Sequence, residues 1–214
     1  MGMFHFTTLT PTKPELLTAW VPSQPWAPES DQPLEVIGSY RIDDPAGQVG
    51  IEVYLTRLGE TVLQVPLTYR NEPLAATTDG DDALITTMQH SALGTRWVYD
   101  GLRDPLCIFV LAAVTMTGQG EALGMAQHEG RWVVLPSAVR IHGGGGTPKR
   151  VAIDGFARYT DDVQIAVFRN DGFQLTVHRR PTAGPRPPIA LTATWTTQPE
   201  SEPNPVVLAE LQAL

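Results

Sequence analysis

The stretch that decides the fold is residues 90–114, HSALGTRWVYDGLRDPLCIFVLAAV. Arg96-Trp97-Val98-Tyr99 has the large, aromatic and β-branched residues that favour a strand. Asp100-Gly101 then predicts a tight turn, because glycine accepts a positive φ. Asp104 is suited to cap a helix that begins at Pro105, where the missing N–H of proline costs nothing. The stretch therefore predicts a strand, a turn and a helix.

Residues 106–116 are almost wholly apolar, which predicts a helix that is buried on most sides and lies against a sheet. The segment is too short to span a bilayer, which needs roughly 20 residues. Cys107, the single cysteine, lies inside it, so we expect a buried and unreactive thiol. An intrachain disulfide is excluded. Gly118 and Gly120 are expected to end the helix.

Before this stretch, Thr12 is a candidate cap for a short helix that stops near Val21, because Pro22 disfavours helical geometry in the residue before it. Residues 34–70 then predict a three-stranded antiparallel meander from the alternation of apolar and polar positions. Pro66 lies in its third strand, which predicts an edge or bulged strand there.

After the helix the pattern is almost purely β. The expected strands cover residues 122–128, 131–135, 138–141, 151–159, 163–169, 173–180 and 189–196. Asn170-Asp171-Gly172 predicts a hairpin turn, residues 181–188 a proline-rich linker, and residues 206–214 either a strand or a short helix. We predict an α+β fold, mainly antiparallel β-sheet with two or three short helices. We predict two regions, residues 1–118 and a β-rich region over residues 119–214, which are either separate or packed as a single domain.

The composition and charge of the chain argue against some classes of binding partner. The 214 residues are 42% apolar and carry a net charge of -8, with no basic run, which argues against a nucleic-acid or anionic-membrane partner. The first residues have no apolar leader and no stretch is long enough for a membrane-spanning helix, so we expect a cytoplasmic protein.

The sequence contains only weak motifs for cofactor binding, metal binding and catalysis. We therefore predict no cofactor, no metal ion and no catalytic residue. The glycine run 143–146 is followed by Thr147-Pro148-Lys149 and a strand, whereas a phosphate loop needs Gly-Lys-Ser/Thr and a helix; a flexible hairpin loop fits better. Asp79, Asp81 and Asp82 lack the layout of a calcium loop and predict a solvated acidic loop.

The histidines and serines give no catalytic signature. The five histidines are His5, His90, His128, His142 and His178, and no two have the spacing of a helical zinc pair. A Ser-His-Asp triad remains open, since its members need not be adjacent, but the chain has no G-x-S-x-G motif.

The five tryptophans could stack on sugar rings. Trp97, Trp132 and Trp195 are placed like core residues of strands, whereas Trp20 and Trp26 flank a proline-rich turn and are expected to be the more exposed pair. Trp20, Gln24 and Trp26 are therefore the predicted ligand or partner contacts. The alternative is hydrophobic packing, with the segment from Trp20 to Trp26 covering the meander face that bears Ile51, Val53 and Leu55.

Three blocks resemble the N-terminal cap domain of actinobacterial maltokinases and its stand-alone relatives. They are Ala19-Trp20-Val21-Pro22-Ser23-Gln24-Pro25-Trp26, then Gln64-Val65-Pro66-Leu67-Thr68-Tyr69-Arg70, then Gly94-Thr95-Arg96-Trp97-Val98-Tyr99-Asp100-Gly101 with Asp104-Pro105 and an apolar helix. The resemblance covers roughly residues 14–117. The chain departs from it at Pro25, where the family usually has a basic residue, and at Ala27-Pro28.

The resemblance implies an actinobacterial cytoplasmic protein near trehalose, maltose and α-glucan metabolism. A kinase needs a catalytic Asp and Asn, a metal-binding Asp and a phosphate-binding Lys, but His-x-Asp and Asp-Phe-Gly are missing and about 97 residues after 117 are too few for a kinase C-lobe. We therefore expect a cap without its kinase, acting as a non-catalytic accessory or regulatory module through a protein partner. The alternatives are a sugar or sugar-phosphate binding protein and an enzyme of unrecognised type.

Overall fold

The computed structural model describes residues 2–4, 8–75, 83–145, 151–195 and 205–214, without the side chains of residues 2–4, 127 and 182. The helices are α1 (Lys13–Trp20) and α2 (Pro105–Thr117), and single 3-10 turns cover Val21–Ser23 and Gly101–Arg103. The strands are β1 (Gly2–Phe4), β2 (Leu9–Thr10), β3 (Glu35–Asp43), β4 (Gly50–Leu58), β5 (Thr61–Arg70), β6 (Leu84–His90), β7 (Gly94–Asp100), β8 (Gly124–His128), β9 (Arg131–Val134), β10 (Val139–His142), β11 (Ala157–Asp161), β12 (Ile165–Arg169), β13 (Phe173–Thr182), β14 (Ala190–Trp195) and β15 (Val206–Ala213).

The strands form two antiparallel sheets and one small mixed sheet. The first sheet has the order β2-β6-β7-β5-β4-β3 and contains the predicted meander. The second has the order β10-β14-β15-β13-β12-β11, and the small sheet has the order β1-β8-β9 with β1 parallel to β8. The fold is thus mostly antiparallel β-sheet with two α-helices in the described part of the chain, a composition that fits a mainly-β class as well as the predicted α+β class.

The deciding stretch forms the predicted strand, turn and helix. Asp104 caps α2 by accepting a hydrogen bond from the Leu106 N–H at 3.0 Å, and Gly118 ends the helix with a φ of 70°. Eight of the thirteen α2 residues are buried, as its apolar sequence predicts.

The positive φ that was expected at Gly101 is wrong. Its φ is not positive, and it begins a 3-10 turn. A Cβ at this position would lie 2.9 Å from both Cys107 Sγ and Pro66 Cβ. Glycine is needed here for close packing between β5 and α2.

The two halves of the chain share one core. Ile51 and Val53 of the first sheet, Leu111 of α2, and Phe168 and Leu175 of the second sheet all belong to the same buried cluster. The boundary predicted at residue 118 therefore falls at the end of a helix that packs against strands from both halves of the sequence.

A buried glutamine ties the halves together. Gln64 is 1% exposed, and its amide Nε2 donates to the carbonyls of His178 and Leu208 at 3.0 Å each. Its Oε1 accepts a hydrogen bond from the Tyr40 hydroxyl at 3.0 Å. A buried amide with all these partners fixes the position of β5 against the second sheet.

Several strand predictions need correction. β5 lies between β4 and β7 in the sheet, since it pairs with β4 along its length and with β7 over residues 67–70. Pro66 lies just outside the β7 ladder, where β5 is paired on one side only and the missing N–H is not needed, so the predicted edge position holds for the proline but not for the whole strand. The strand predicted over residues 151–159 begins only at Ala157, β13 runs into the predicted linker as far as Thr182, and residues 206–213 form a strand.

Candidate functional site

The predicted contact segment begins where α1 ends. Thr12 and Glu15 form a capping box at the start of α1, as Thr12 was expected to do. At the other end the Trp20 carbonyl accepts hydrogen bonds from Ser23 Oγ at 2.8 Å and from Gln24 Nε2 at 3.1 Å. Gln24 therefore has a structural task, which is to satisfy a carbonyl that the helix leaves free.

Trp26 is buried, so the prediction that it is exposed is wrong. It is 5% exposed, whereas Trp20 is half-buried. The two indole rings meet edge to face with centroids 5.8 Å apart. The guanidinium of Arg179, a residue of β13, lies 4.9 Å from the centre of the Trp26 ring. Arg180 Nη2 also donates to the Trp26 carbonyl at 3.0 Å. Trp26 thus connects the segment that follows α1 to β13 of the second sheet.

The alternative prediction, that this segment packs onto the meander, is confirmed, but on the opposite face. Trp26 and α1 pack in a second buried cluster with Tyr54, Leu63 and Val65. Ile51, Val53 and Leu55 face α2 and the second sheet instead. Both faces of β4 are covered, and a period-2 pattern alone does not distinguish them.

We expect Trp26→Ala to lower the free energy of unfolding by about 3 kcal/mol, the lower end of the range for removing a buried tryptophan. The exposed Trp132, which is 50% exposed and was wrongly expected in a core, is the matched control. Trp132→Ala should change stability by less than about 0.5 kcal/mol. Urea melts of both variants give the comparison, and equal midpoints would contradict the buried position of Trp26.

An ion-pair network lies beside Trp26. Arg179 is 1% exposed and forms a bidentate pair with Asp161, at 2.8 and 2.9 Å. Asp100 at the end of β7 lies 4.0 Å from Arg179 Nη2. Burial raises the pKa of Asp100, and the charge of Arg179 opposes that rise. The network joins the deciding stretch to β11 and β13, a pairing that sequence analysis missed because its members are far apart in the chain.

A cleft of about 320 Å³ lies between β3 and the segment of residues 121–138. Its polar lining includes Ser39, Arg41, Glu52, Glu121 and Ser137, and its apolar lining includes Val36, Leu135, Pro136 and Ala138. The two walls therefore come from different halves of the chain. It is a concave site with mixed polar and apolar walls, which is the usual form of a small-molecule site.

Glu52 is the buried charge at this cleft. Its carboxylate accepts from Ser39 Oγ at 2.9 Å and from Lys13 Nζ at 2.5 Å. Lys13 stands in the first turn of α1, where the helix dipole disfavours a positive charge, and the pair with Glu52 offsets that cost. A glutamate within the apolar strand IEVYL was a signal that sequence analysis did not use.

Two tyrosines complete the polar cluster around Glu52. The hydroxyls of Tyr54 and Tyr69 lie 3.3 Å apart, and Lys13 Nζ lies 5.6 Å from the centre of the Tyr69 ring. Burial raises the pKa of Tyr69 well above its usual value, and the charge of Glu52 adds to the rise. Burial also raises the pKa of Tyr54. Both phenols therefore stay neutral, and one of them donates the hydrogen bond that joins the two hydroxyls.

Comparison with known families identifies one part of the chain. Residues 20–104 match the maltokinase N-terminal cap domain. A search of curated proteins found no match. The match confirms the resemblance read from the three sequence blocks, and we call residues 20–104 the cap-like region.

The cap-like region has clear structural limits. It begins at Trp20, the last residue of α1, and ends at Asp104, the cap of α2. It therefore contains the first sheet from β3 to β7, while α2 and the second sheet lie outside it. The residues on which the cap-like region depends for its core, such as Leu111 and Phe168, are supplied by the rest of the chain.

The glycine run packs against the end of α2. A Cβ on Gly143 would lie 2.0 Å from the Val114 carbonyl oxygen, and the Gly144 N–H donates to the Thr115 carbonyl at 2.9 Å. The expected flexible loop is thus fixed in its first part, while Gly146 and Lys149 lie outside the described residues. The carbonyl end of a helix carries partial negative charge, which disfavours a phosphate.

The remaining predictions concern the cysteine, the acidic loop, metal sites and membrane-spanning helices. Cys107 is fully buried, and burial raises the pKa of its thiol well above its usual value. Asp79, Asp81, Asp82 and His5 lie outside the described residues. Among the residues that are described, no group of three His, Cys, Asp or Glu side chains is placed to hold a metal ion. Over the same residues, no helix is long and apolar enough to cross a membrane.

Proposed function

We propose that this protein is a non-catalytic accessory or regulatory module of trehalose, maltose or α-glucan metabolism, and that it acts by binding a protein partner. The observation that carries the proposal is the match of residues 20–104 to the cap domain of maltokinases. A cap domain implies contact with the rest of a larger protein, so binding is the activity that the match favours. Fold-level likeness alone does not establish function, which is why the proposal needs a direct test.

The ion pairing of three buried or partly buried carboxylates supports a binding role over a catalytic one. Glu52 is paired with Lys13, Asp104 with Arg70, and Asp161 with Arg179. A catalytic acid or base needs a proton that it can exchange with a substrate. These groups hold elements of the fold together instead.

Trp20 and Gln24 are the residues through which we propose that the partner is contacted. Trp20 is half-buried, so one part of its ring is accessible, and Gln24 lies next to it. Trp26 acts behind them, because it is buried and fixes the Trp20 ring. The net charge of -8 favours a protein over a nucleic acid as the partner, and we propose the cytoplasm as the compartment.

Affinity capture tests this proposal. The purified protein is immobilised in an extract of its own organism, and retained proteins are identified by mass spectrometry. We expect an enzyme that acts on trehalose, maltose or an α-glucan, with retention reduced by Gln24→Glu and unchanged by Trp132→Ala. Failure to retain any such enzyme, or turnover of maltose or trehalose by the purified protein itself, would contradict the proposal.

A further inference from the structure

We propose that the cleft between β3 and residues 121–138 binds a neutral mono- or disaccharide. Its volume of about 320 Å³ is at the lower end of the range for small-molecule sites, about 300–1,000 Å³. That size suits one or two sugar rings rather than a long glucan. The cleft lies outside the partner contacts named above, and its recognition chemistry does not depend on them.

The carboxylates of the cleft favour a ligand with hydroxyl groups. In the described part of the chain, Glu121 accepts hydrogen bonds from Arg140 Nη1 at 2.8 Å and from the Ile141 N–H at 3.0 Å. A carboxylate offers about four acceptor sites, so capacity for further donors remains. The anchoring bonds also hold the carboxylate in a fixed position, which lowers the ordering cost when a ligand binds.

The charge balance argues for a neutral ligand. Glu52 is paired with Lys13 and Glu121 with Arg140, and Arg41 is the other charged residue of the lining, so neither sign is in strong excess. A strong excess of either sign would favour an ion of the opposite charge. The cleft instead presents paired charges and hydroxyls, which are partners for uncharged donors and acceptors.

The apolar part of the lining suits the C–H face of a sugar ring. Val36, which is 39% exposed, and Leu135, Pro136 and Ala138 contribute apolar surface to the same cleft as the polar groups, with apolar and polar residues on both walls. A pyranose also presents both kinds of surface, with hydroxyls at its edges and C–H groups on its faces. A lining with both kinds of surface therefore matches both parts of such a ligand.

Calorimetric titration with four probes tests the inference: maltose, trehalose, glucose and glucose 6-phosphate. The choice of maltose and trehalose rests on the proposed function, whereas glucose and its phosphate test the ligand class alone. We expect at least one neutral sugar to bind at millimolar concentration or better, and more tightly than glucose 6-phosphate. Tighter binding of the phosphate, or no binding of any neutral probe, would overturn the inference.

Two variants locate the binding. Val36→Trp fills the cleft from an exposed position and should weaken sugar binding by at least ~10-fold. Val163→Trp is the matched control, because Val163 is 43% exposed and does not line the cleft. Glu121→Gln should also weaken binding while preserving the shape of the site. Sugar binding that survives both Val36→Trp and Glu121→Gln would contradict the assignment, and partner capture should be unchanged in either variant, so the two proposals fail separately.

Discussion

Asp104→Ala is expected to lower the free energy of unfolding by about 4–6 kcal/mol. Asp104 is fully buried, caps α2, and accepts hydrogen bonds from Thr68 Oγ1 and from Arg70 Nε and Nη2 at 2.7 Å each. Breaking a buried ion pair by removing one partner costs about 3–5 kcal/mol, and losing a helix cap costs about 1 kcal/mol more. Urea or thermal melts measure the sum.

Two controls separate the contributions at this position. Asp104→Asn keeps an oxygen for the Leu106 N–H and removes only the charge, so its cost should be smaller than that of Asp104→Ala. Asp171→Ala removes an exposed aspartate from a hairpin turn and should cost less than about 0.5 kcal/mol. Equal midpoints for Asp104→Ala and Asp171→Ala would show that the deciding stretch does not depend on its cap.

Gly143→Ala should also lower the free energy of unfolding, by about 2–6 kcal/mol, for a different reason. The added Cβ would lie 2.0 Å from the Val114 carbonyl oxygen, so backbone must move. Overpacking typically costs about 1–3 kcal/mol. The hydrogen bonds from Gly143 to Gln119 and from Gly144 to Thr115 would be displaced as well, at about 0.5–1.5 kcal/mol each.

The matched control is Gly184→Ala. No atom lies within 4 Å of a Cβ at Gly184, and its φ is not in the left-handed region. We expect that variant to be neutral or slightly more stable, because alanine lowers the entropy of the unfolded chain. Thermal melts of the two variants decide the matter. A Gly143→Ala protein as stable as Gly184→Ala would mean that the glycine run is not packed against α2.

Sequence reasoning predicted the structure correctly where neighbouring residues determine it. The strand, cap and apolar helix of residues 94–117 follow from propensity, from Asp104-Pro105 and from the C-terminal glycine. The hairpin at Asn170-Asp171-Gly172 forms as its turn residues predict, with Asn170 Oδ1 accepting from the Phe173 N–H at 2.8 Å. In these cases neighbouring residues contain all the necessary information.

Sequence reasoning failed where distant segments meet. Trp26 looked exposed beside its prolines, but its ring is covered by Arg179, 153 residues later in the sequence. Gly143 looked flexible, but it lies against the backbone of α2. The cleft at Glu52 needs residues 121–138 as its second wall. Burial of one segment by another depends on the tertiary fold, which periodicity does not encode.

In this protein the second half of the chain completes the core of the cap-like region, and α2 packs against strands of both large sheets. Differential scanning calorimetry of the whole chain tests this most directly. We predict a single transition whose calorimetric and van't Hoff enthalpies agree, and which moves as a whole to lower temperature in the Asp104→Ala variant. Two separate transitions, one of them keeping the parent's Tm in that variant, would contradict a shared core.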